Sequence, residues 1–297
     1  MLSLKQIKDI AKKAVTNCRS LFSCAGTGTE DLKMAENNSN YEDNLKSKKG
    51  PKYSDGANFN RVLVIGDIHG QYKKFISLYK KLNVTDDDLL IFLGDYIDRG
   101  PEGECGYVLE WIMKAVQKDN VIALRGNHEQ MMIDFFDDSD LNWLFNGGQA
   151  TATDIKTMMK DEPNIMAQIM EFANNLPLYH RMSINGKDYY FCHAGVDPKV
   201  SLNNQTSMSL LWIREEFFKH YDDETIIVVG HTPLVLLKPE GSLETWQKEY
   251  SEILKVKNVK PQWRRNGKIL MMDTGSYFVN GCISCMDIKS GQLWQSD

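Results

Sequence analysis

Five short polar motifs occur along the chain, and each one closely follows a run of apolar residues. They are Gly-Asp-Ile-His-Gly (66–70), Gly-Asp-Tyr-Ile-Asp-Arg-Gly (94–100), Gly-Asn-His-Glu (126–129), His-Ala-Gly (193–195) and Gly-His-Thr (230–232). Short β-branched runs of this kind are typical of buried strands. The pattern therefore predicts a fold in which several strands aim polar side chains at one rim.

The apolar runs predict six strands, over residues 61–65, 89–93, 121–124, 189–192, 226–229 and 269–272. Apolar residues at helical spacing predict helices over 72–82 and 108–116, so strand and helix alternate in this part of the chain. Residues 129–174 are predicted to be mainly helical, with a turn at 146–148. One more amphipathic helix is predicted over 208–220.

Composition narrows the classes of function. The chain has 297 residues, of which 42% are apolar, and a formal net charge of −5. A net negative charge offers no extended basic surface for binding nucleic acid, so we expect no nucleic-acid partner. No segment approaches the roughly 18 consecutive apolar residues of a membrane span, so we expect the body of the protein to be soluble.

The six cysteines do not form a dense disulfide framework, which indicates free thiols in a reducing compartment and predicts a cytoplasmic protein. The string Cys-Ile-Ser-Cys at 282–285 admits zinc or redox chemistry. Its neighbours alternate like a strand and the chain has no second string of this type, so we favour two strand residues.

The first 60 residues differ from the rest. Residues 1–19 place apolar side chains near helical spacing among lysines, which predicts a basic amphipathic helix. This helix either packs on the domain as a solvated helix or contacts a membrane surface or a partner. Residues 26–60 are polar and predict a linker or a mobile leader. We therefore divide the chain into 1–60, a helix plus leader, and 61–297, a catalytic domain.

The motifs contain donor atoms for two divalent ions, in Asp67, His69, Asp95, Asn127, His193 and His231. Two ions about 3.5–4 Å apart can clamp the attacking and leaving oxygens of phosphoryl hydrolysis. Asp95 lies between the two sets in sequence and is the candidate bridge. Mixed oxygen and imidazole ligands favour Mn²⁺ first, then Fe, Zn²⁺ or Mg²⁺, over calcium.

Other motif residues suit the remaining chemistry. His128 neighbours Asn127 and is the candidate general acid that protonates the leaving oxygen, with Asp98 to orient its ring. The arginines at positions 99, 125 and 214 are candidates to hold phosphate oxygens through bidentate contacts. Hydroxide generated on the metals would be the nucleophile, without a covalent enzyme intermediate.

Together the motifs resemble those of the PPP-type metallophosphoesterases, the serine/threonine phosphoprotein phosphatases and their bacterial and phage relatives. The resemblance covers roughly residues 61–290. It implies an α+β class, the calcineurin-like metallophosphoesterase fold, with a central β-sandwich flanked by helices. It also implies the metal, acid and arginine roles given above. Met-Asp-Thr-Gly-Ser-Tyr at 272–277 departs from the eukaryotic enzymes and indicates a compact bacterial type.

The resemblance implies hydrolysis of phosphoserine and phosphothreonine in proteins by attack of metal-bound hydroxide, with phosphoproteins as partners. One alternative on the same metals is a dinucleoside polyphosphate hydrolase, which would act on substrates such as diadenosine tetraphosphate. An alternative of another class is a binding module or regulatory pseudoenzyme that recruits a partner through its N-terminal helix. The intact ligand set favours an enzyme.

Overall fold

A computed structural model describes residues 55–138, 140–236 and 259–297. The predicted basic helix and most of the leader lie outside the described residues, so the domain division stays a prediction. At the end of the predicted leader, Gly56–Asn58 forms a 3₁₀ turn and Asp55 forms a bridge with Ser183.

Among the described helices, none has the length and apolar character that a membrane crossing requires.

The first of two five-stranded sheets carries the first three motifs. Its order is β10–β9–β1–β2–β3, and the bounds are β1 Arg61–Ile65, β2 Asp88–Phe92, β3 Val121–Ala123, β9 Ser284–Asp287 and β10 Leu293–Gln295. The strands β1, β2 and β3 are parallel. Parallel neighbours need crossover connections, and helices α1 (Tyr72–Leu82) and α2 (Glu104–Ala115) supply them.

The second sheet carries the two late histidine motifs. Its order is β4–β5–β6–β8–β7, and the bounds are β4 Tyr179–Ile184, β5 Lys187–Cys192, β6 Ile226–Val229, β7 Gln262–Arg264 and β8 Ile269–Met271. The central strands β5, β6 and β8 are parallel, while β4 and β7 pair antiparallel to their neighbours. The carboxyl ends of β5 and β6 therefore lie side by side.

The two sheets share one hydrophobic core. Val62 and Leu89 from the first sheet are buried in the same cluster as Phe191, Val228 and Leu270 from the second. Alternate residues of a strand point to opposite faces, so these positions define the inner faces of a sandwich. The predicted α+β class and the helix-flanked sandwich are confirmed.

Helices cover the outer faces. On the second sheet, Tyr190 and Ile227 face away from the sandwich core and pack in a separate cluster with Leu211 and Phe217. The remaining helices are α3 Asn127–Asp138, α4 Gln149–Asp161, α5 Ile165–Asn175, α6 Ser207–Trp212 and α7 Glu215–His220. A π-helical turn, Leu144–Gly148, lies between α3 and α4.

The prediction of one helix over 208–220 is wrong, because α6 and α7 are separate. Arg214 lies between them with φ −134° and ψ −100°, far from helical values. Its Nη1 donates to Thr232 Oγ1 at 3.0 Å. The chain therefore leaves the helical path where this arginine turns toward the Gly-His-Thr motif.

All six predicted strands are present, as β1, β2, β3, β5, β6 and β8. They divide between the two sheets, three in each, so the rim is formed by two sheets rather than one. The cysteine string falls at β9, with Cys285 in the strand and Cys282 just before it. In the described part of the chain, neither cysteine belongs to a group arranged for a metal ion.

His180 generates a prediction about acid stability. Its ring is buried in β4 near Phe191, and burial lowers its pKa to about 4. The unfolded chain, with an ordinary histidine pKa near about 6.5, binds the proton more readily. Stability therefore falls by up to about 1.4 kcal/mol per pH unit as pH drops from about 6.5 to about 4. We expect His180→Leu to flatten this slope in urea denaturation.

The exposed His220, which pairs with Glu216 at 3.7 Å, offers the matched control His220→Leu. Equal slopes of unfolding free energy against pH in His180→Leu and the wild type would contradict the assignment.

Candidate functional site

The loops that follow β1, β2, β3, β5 and β6 converge at one rim. They place six buried polar side chains there, from Asp67, His69, Asp95, Asn127, His193 and His231. Each lies within four residues after the end of a strand, and Asn127 is also the first residue of α3. The structure thus brings together all six residues that the sequence predicts as metal ligands.

Five of the predicted site residues have a left-handed backbone. The φ angles are +49° for His69, +54° for Asp95, +71° for Asp98, +60° for Arg99 and +63° for His231. This conformation is uncommon outside glycine and costs of order 1–2 kcal/mol per residue. The surrounding fold must therefore stabilise the loops in their strained conformation.

Glu129 stabilises the strained loop after β2. Its buried carboxylate accepts from the backbone N–H groups of Asp95 at 3.0 Å, Tyr96 at 2.8 Å and Gly126 at 2.9 Å. Burial, followed by the nearby charge of Asp95, raises the pKa of Glu129 to about 7. This glutamate ends the third motif, and its contacts explain why the motif needs that residue type there.

Two motif glycines make room for the carboxylates. A Cβ on Gly126 would lie 2.2 Å from Asp95 Oδ1, and one on Gly230 would lie 2.0 Å from Asp67 Oδ1. Real Cβ atoms do not approach oxygen this closely. The backbone at both positions can contact the acids only because no side chain is present.

The Asp95 carboxylate lies at the centre of three imidazoles. Its Oδ2 is 3.5 Å from His69 Nε2 and 4.0 Å from His128 Nε2, and its Oδ1 is 3.4 Å from His193 Nε2. His69 Nδ1 lies 3.2 Å from the carbonyl oxygen of Ile97, which anchors the opposite side of that ring. Anchoring one ring nitrogen orients the other toward a ligand position.

The side-chain oxygen of Asn127 contacts both late histidines, His193 and His231. Its Oδ1 lies 2.8 Å from both His193 Nε2 and His231 Nδ1, and these two nitrogens are 3.2 Å apart. His193 Nδ1 faces the carbonyl oxygen of Leu93 at 2.9 Å. Three lone-pair atoms therefore converge on one buried point, an arrangement that a cation satisfies better than protons do.

The charges of the rim perturb one another strongly. Burial alone would raise the pKa of Asp95, but His193 and His128 hold it well below its usual range. Burial opposes ionisation of His193, yet Asp95 raises the pKa of that ring above its ordinary value. Burial, followed by the charges of His193 and Arg214, lowers the pKa of His231 well below its ordinary value.

Asp273 is a further buried acid at the rim that the sequence analysis did not identify. Burial raises the pKa of Asp67 well above its usual range, and the charges of Asp273 and Asp95 raise it further. Burial also raises the pKa of Asp273 to about 6. Crowded buried carboxylates need compensating positive charge. A pair of divalent cations fits this requirement.

Two groups of side chains have ligand atoms close enough to share an ion. One is His69, Asp95 and His128, and the other is Asp95, His193 and His231; within each group the atoms lie within 4.8 Å of one another. Asp95 belongs to both, as the predicted bridge requires. Asp67 adjoins the rim through its carboxylate, which accepts from the backbone N–H of His231 at 3.0 Å. The donor set therefore fits two metal ions.

His128 has a second carboxylate partner in Asp98. His128 Nδ1 lies 2.7 Å from Asp98 Oδ2, and both side chains are fully buried. Asp98 also accepts from Trp143 Nε1 and from Thr151 Oγ1. His128 Nε2 is left facing Asp95. The sequence analysis predicted the pairing with Asp98 but not the roles of Trp143 and Thr151.

Two of the three predicted arginines lie at the rim. Arg99 Nη1 is 3.4 Å from His69 Nε2, and its guanidinium lies 4.6 Å from the ring centre of Tyr277. Arg214 binds Thr232 Oγ1 and reaches the His231 carbonyl at 3.4 Å. Burial raises the pKa of Tyr277 to about 12, so the ring next to Arg99 stays neutral.

The described side-chain hydrogen bonds of Arg125 join it to residues of α3 and α5. Its Nη1 donates to Gln130 Oε1 and its Nη2 to the carbonyl of Asn174, each at 2.8 Å. These bonds tie α3 to the end of α5. A contact between Arg125 and phosphate stays a prediction.

The rim residues that sequence reasoning missed lack a pattern of their own. Asp273 and Tyr277 follow β8 in the Met-Asp-Thr-Gly-Ser-Tyr string, which is polar but contains none of the five motifs. The position of that string directly after a predicted strand was the available signal. The sequence analysis included Glu129 in the third motif, but it did not predict that Glu129 accepts hydrogen bonds from the backbone.

Comparison with known proteins agrees with this geometry. The family described as calcineurin-like phosphoesterase matches residues 60–262. Bis(5'-nucleosyl)-tetraphosphatase PrpE (asymmetrical) of Anoxybacillus flavithermus is 29% identical over 196 residues, 58% of this chain and 78% of that protein. Serine/threonine-protein phosphatase 2 of Salmonella typhimurium is 30% identical over 171 residues, 53% of this chain and 69% of that protein.

A solved structure shares the fold at low sequence identity. It is a protein serine/threonine phosphatase from Saccharomyces cerevisiae, with a TM-score of 0.53 and 15% identity, over 98% of this chain and 90% of that one. Likeness at this level of identity supports the architecture of two sheets and flanking helices.

The shared position of Asp95 predicts that one substitution disturbs both metals. Asp95→Asn retains an oxygen to accept from the His128 backbone N–H, a 3.0 Å bond, but removes the charge. We expect affinity for both ions to fall by more than about 100-fold. Calorimetric titration and elemental analysis after dialysis measure this. Exposed Asp119 gives the control Asp119→Asn, and two ions bound to Asp95→Asn at wild-type affinity would contradict the bridge.

Proposed function

Because this chain belongs to the calcineurin-like phosphoesterase family and is of the PPP type, we propose that it is a serine/threonine phosphoprotein phosphatase. The observation that carries this proposal is the buried contact of 2.7 Å between His128 Nδ1 and Asp98 Oδ2. Serine and threonine leave phosphate as poorly stabilised alkoxides, so their esters need a proton donor at the leaving oxygen. An acid fixed beside the metal donors suits that class of ester.

Two metal ions are part of the proposal. One would be held by His69 and Asp95, which share a group of close ligand atoms, together with Asp67, whose carboxylate contacts the backbone of His231. The other would be held by Asp95, Asn127, His193 and His231. When bound, such a pair supplies a nucleophilic oxygen at neutral pH and positive charge beside the phosphate. We propose Mn²⁺ because the donors mix carboxylate oxygen with imidazole nitrogen, and Fe, Zn²⁺ and Mg²⁺ remain compatible with them.

His128 would donate the proton. Its Nδ1 is engaged by Asp98, which leaves Nε2 as the nitrogen that faces the donor cluster, 4.0 Å from Asp95 Oδ2. A carboxylate behind the ring fixes which nitrogen is presented. The ring is thereby oriented to deliver the Nε2 proton to the leaving oxygen.

Two arginines would bind the phosphate. Arg99 reaches the rim from the loop after β2, and Arg214 reaches it from the break between α6 and α7. Guanidinium groups match the geometry of phosphate oxygens and are weakly hydrated. Approach from two sides would hold the ester in line between the metal donors and His128.

A second candidate function is hydrolysis of dinucleoside polyphosphates, and one observation favours it. Trp212 is 38% exposed, and its ring lies 6.2 Å from the ring of His231. An exposed aromatic face beside the metal donors could stack a purine base. The bacterial relatives named as tetraphosphatases support the same candidate.

Turnover on two substrates distinguishes the candidates. We expect Mn²⁺-loaded protein to hydrolyse a phosphothreonine peptide at least about 10-fold faster, by kcat/KM, than diadenosine tetraphosphate. A sample with excess chelator is the control. The reverse ratio would establish the nucleotide substrate. Two ions bound without turnover of either substrate would indicate a pseudoenzyme.

The role of His128 has its own test. We expect His128→Asn to keep both metal ions and to lose about 10²–10⁴-fold in kcat on the phosphothreonine peptide, because only proton donation is removed. Metal content and steady-state kinetics are measured on the same sample, with His220→Asn as the control. A lost ion would make His128 a ligand, as its place in one of the donor groups allows.

A further inference from the structure

The carboxylate of Asp98 has more partners than its pairing with His128 requires. Trp143 Nε1 lies 3.1 Å from Oδ1 and 2.9 Å from Oδ2, and Thr151 Oγ1 donates to Oδ1 at 2.6 Å. The same threonine oxygen accepts from the backbone N–H of Asp98 at 3.0 Å. All of these side chains are fully buried. The plane of the carboxylate is thus fixed on both oxygens.

The indole that makes these contacts is itself locked. Its ring packs against Phe135 and Phe136, with ring centres 5.2 Å and 5.6 Å away. A Cβ on Gly148 would lie 2.7 Å from the indole, so the π-helical turn Leu144–Gly148 packs directly on its face. The indole therefore has no room to turn its N–H away from Asp98.

The same turn also supports the neighbouring arginine. The carbonyl of Gly147 accepts from the backbone N–H of Arg99 at 3.4 Å, and a Cβ at Gly147 would lie 2.9 Å from Arg99 Cγ. Gly147 has φ +102°, which only glycine adopts readily. Residues 143–151 thus hold both Asp98 and Arg99 in their strained left-handed conformations.

We propose that Trp143 is a positioning residue, which together with Thr151 fixes the Asp98 carboxylate so that His128 is aligned to protonate the leaving oxygen. This inference rests on the proposed phosphomonoesterase function. Without these two donors the carboxylate can rotate, and Oδ2 moves out of line with His128 Nδ1. Misplacement of a catalytic group by about 1 Å can cost about 10²-fold in rate.

The way in which the leaving group departs determines which reaction rates a misaligned His128 would lower. As the ester P–O bond breaks, its electron pair passes to the leaving oxygen, which takes the proton from His128 Nε2. Water provides the oxygen of the new P–O bond; one of its protons stays on the released phosphate, and the other passes to solvent, from which His128 Nε2 regains a proton. After donation His128 is neutral and keeps its Nδ1 proton, which still donates to Asp98 Oδ2. A 2,4-dinitrophenolate is stable as an anion and leaves without that proton, whereas a threonine alkoxide is not.

The test compares these two leaving groups in Mn²⁺-loaded protein. We expect Trp143→Phe and Thr151→Val to lower kcat on a phosphothreonine peptide by about 10–100-fold and on 2,4-dinitrophenyl phosphate by less than about 3-fold. KM and metal content should stay at wild-type values. A defect confined to the poor leaving group is not expected from general loosening of the fold.

Matched variants separate positioning from packing. Thr151→Ser keeps the hydroxyl and should restore most of the activity that Thr151→Val loses. Trp111 packs against Phe75 at 4.7 Å and Phe92 at 6.0 Å, so Trp111→Phe makes the same change in another aromatic cluster. It should leave the ratio of the two rates unchanged.

A spectroscopic measurement tests the contact without turnover. The chain has six tryptophans, and Trp143→Phe identifies the Trp143 indole N–H resonance in a ¹H–¹⁵N spectrum. We expect Asp98→Asn to shift that resonance, because the acceptor loses its charge, and to leave the Trp111 resonance in place.

Equal losses on both leaving groups, or an unshifted Trp143 resonance in Asp98→Asn, would overturn the proposal. Wild-type protein that hydrolyses neither phosphoester would overturn the proposed function, and the positioning role with it. Wild-type turnover with a variant defect shared by both leaving groups would overturn the positioning role alone.

Discussion

The rim depends on one buried carboxylate that belongs to both sets of donors. Asp95 lies within 4.0 Å of three imidazoles, and it reaches them because the three parallel strands of one sheet, β1, β2 and β3, end at the same place as β5 of the other. Burying Asp67, Asp95 and Asp273 together is unfavourable unless positive charge compensates them. The fold therefore concentrates negative charge where two cations would neutralise it, and the contacts that hold the strained loops keep the donors from moving apart.

Rigid neighbouring elements hold the strained backbone of the rim loops in place. The left-handed residues lie in loops, but each loop is held by backbone contacts to a strand or by a side chain from the next motif, as Glu129 holds the loop of Asp95. The sandwich core lies directly beneath, with Val62, Leu89, Phe191 and Val228 fully buried. Interiors packed at this density resist small displacements. Donor geometry is consequently set before any ligand binds.

The candidate metal donors and the candidate proton donor have different supports. Asp95 and the late histidines are held by strand ends and by Asn127, whereas His128 is oriented through Asp98 by a tryptophan and a threonine from the segment after α3. Substrates that share the phosphate but differ in the leaving oxygen would therefore depend unequally on the two supports. Under the proposed function, phosphomonoesters of serine and threonine would rely on both, while polyphosphates, whose leaving group is already a stable anion, would rely mainly on the metals.

The sequence by itself determined the local elements and the identity of the candidate metal donors, because both are short-range patterns. Apolar runs of four or five residues specify buried strands, and each motif lies next to its strand. Tertiary structure alone decided the contacts between distant segments. Asp98 meets Trp143 and Thr151 across 45 and 53 residues, and Asp273 reaches the rim from β8. It also decided the break at Arg214, where a helical pattern continues but the side chain binds Thr232 instead. Such contacts have no periodic signal, since only tertiary packing, of helical segments against the rim loops and of one sheet against the other, brings these residues together.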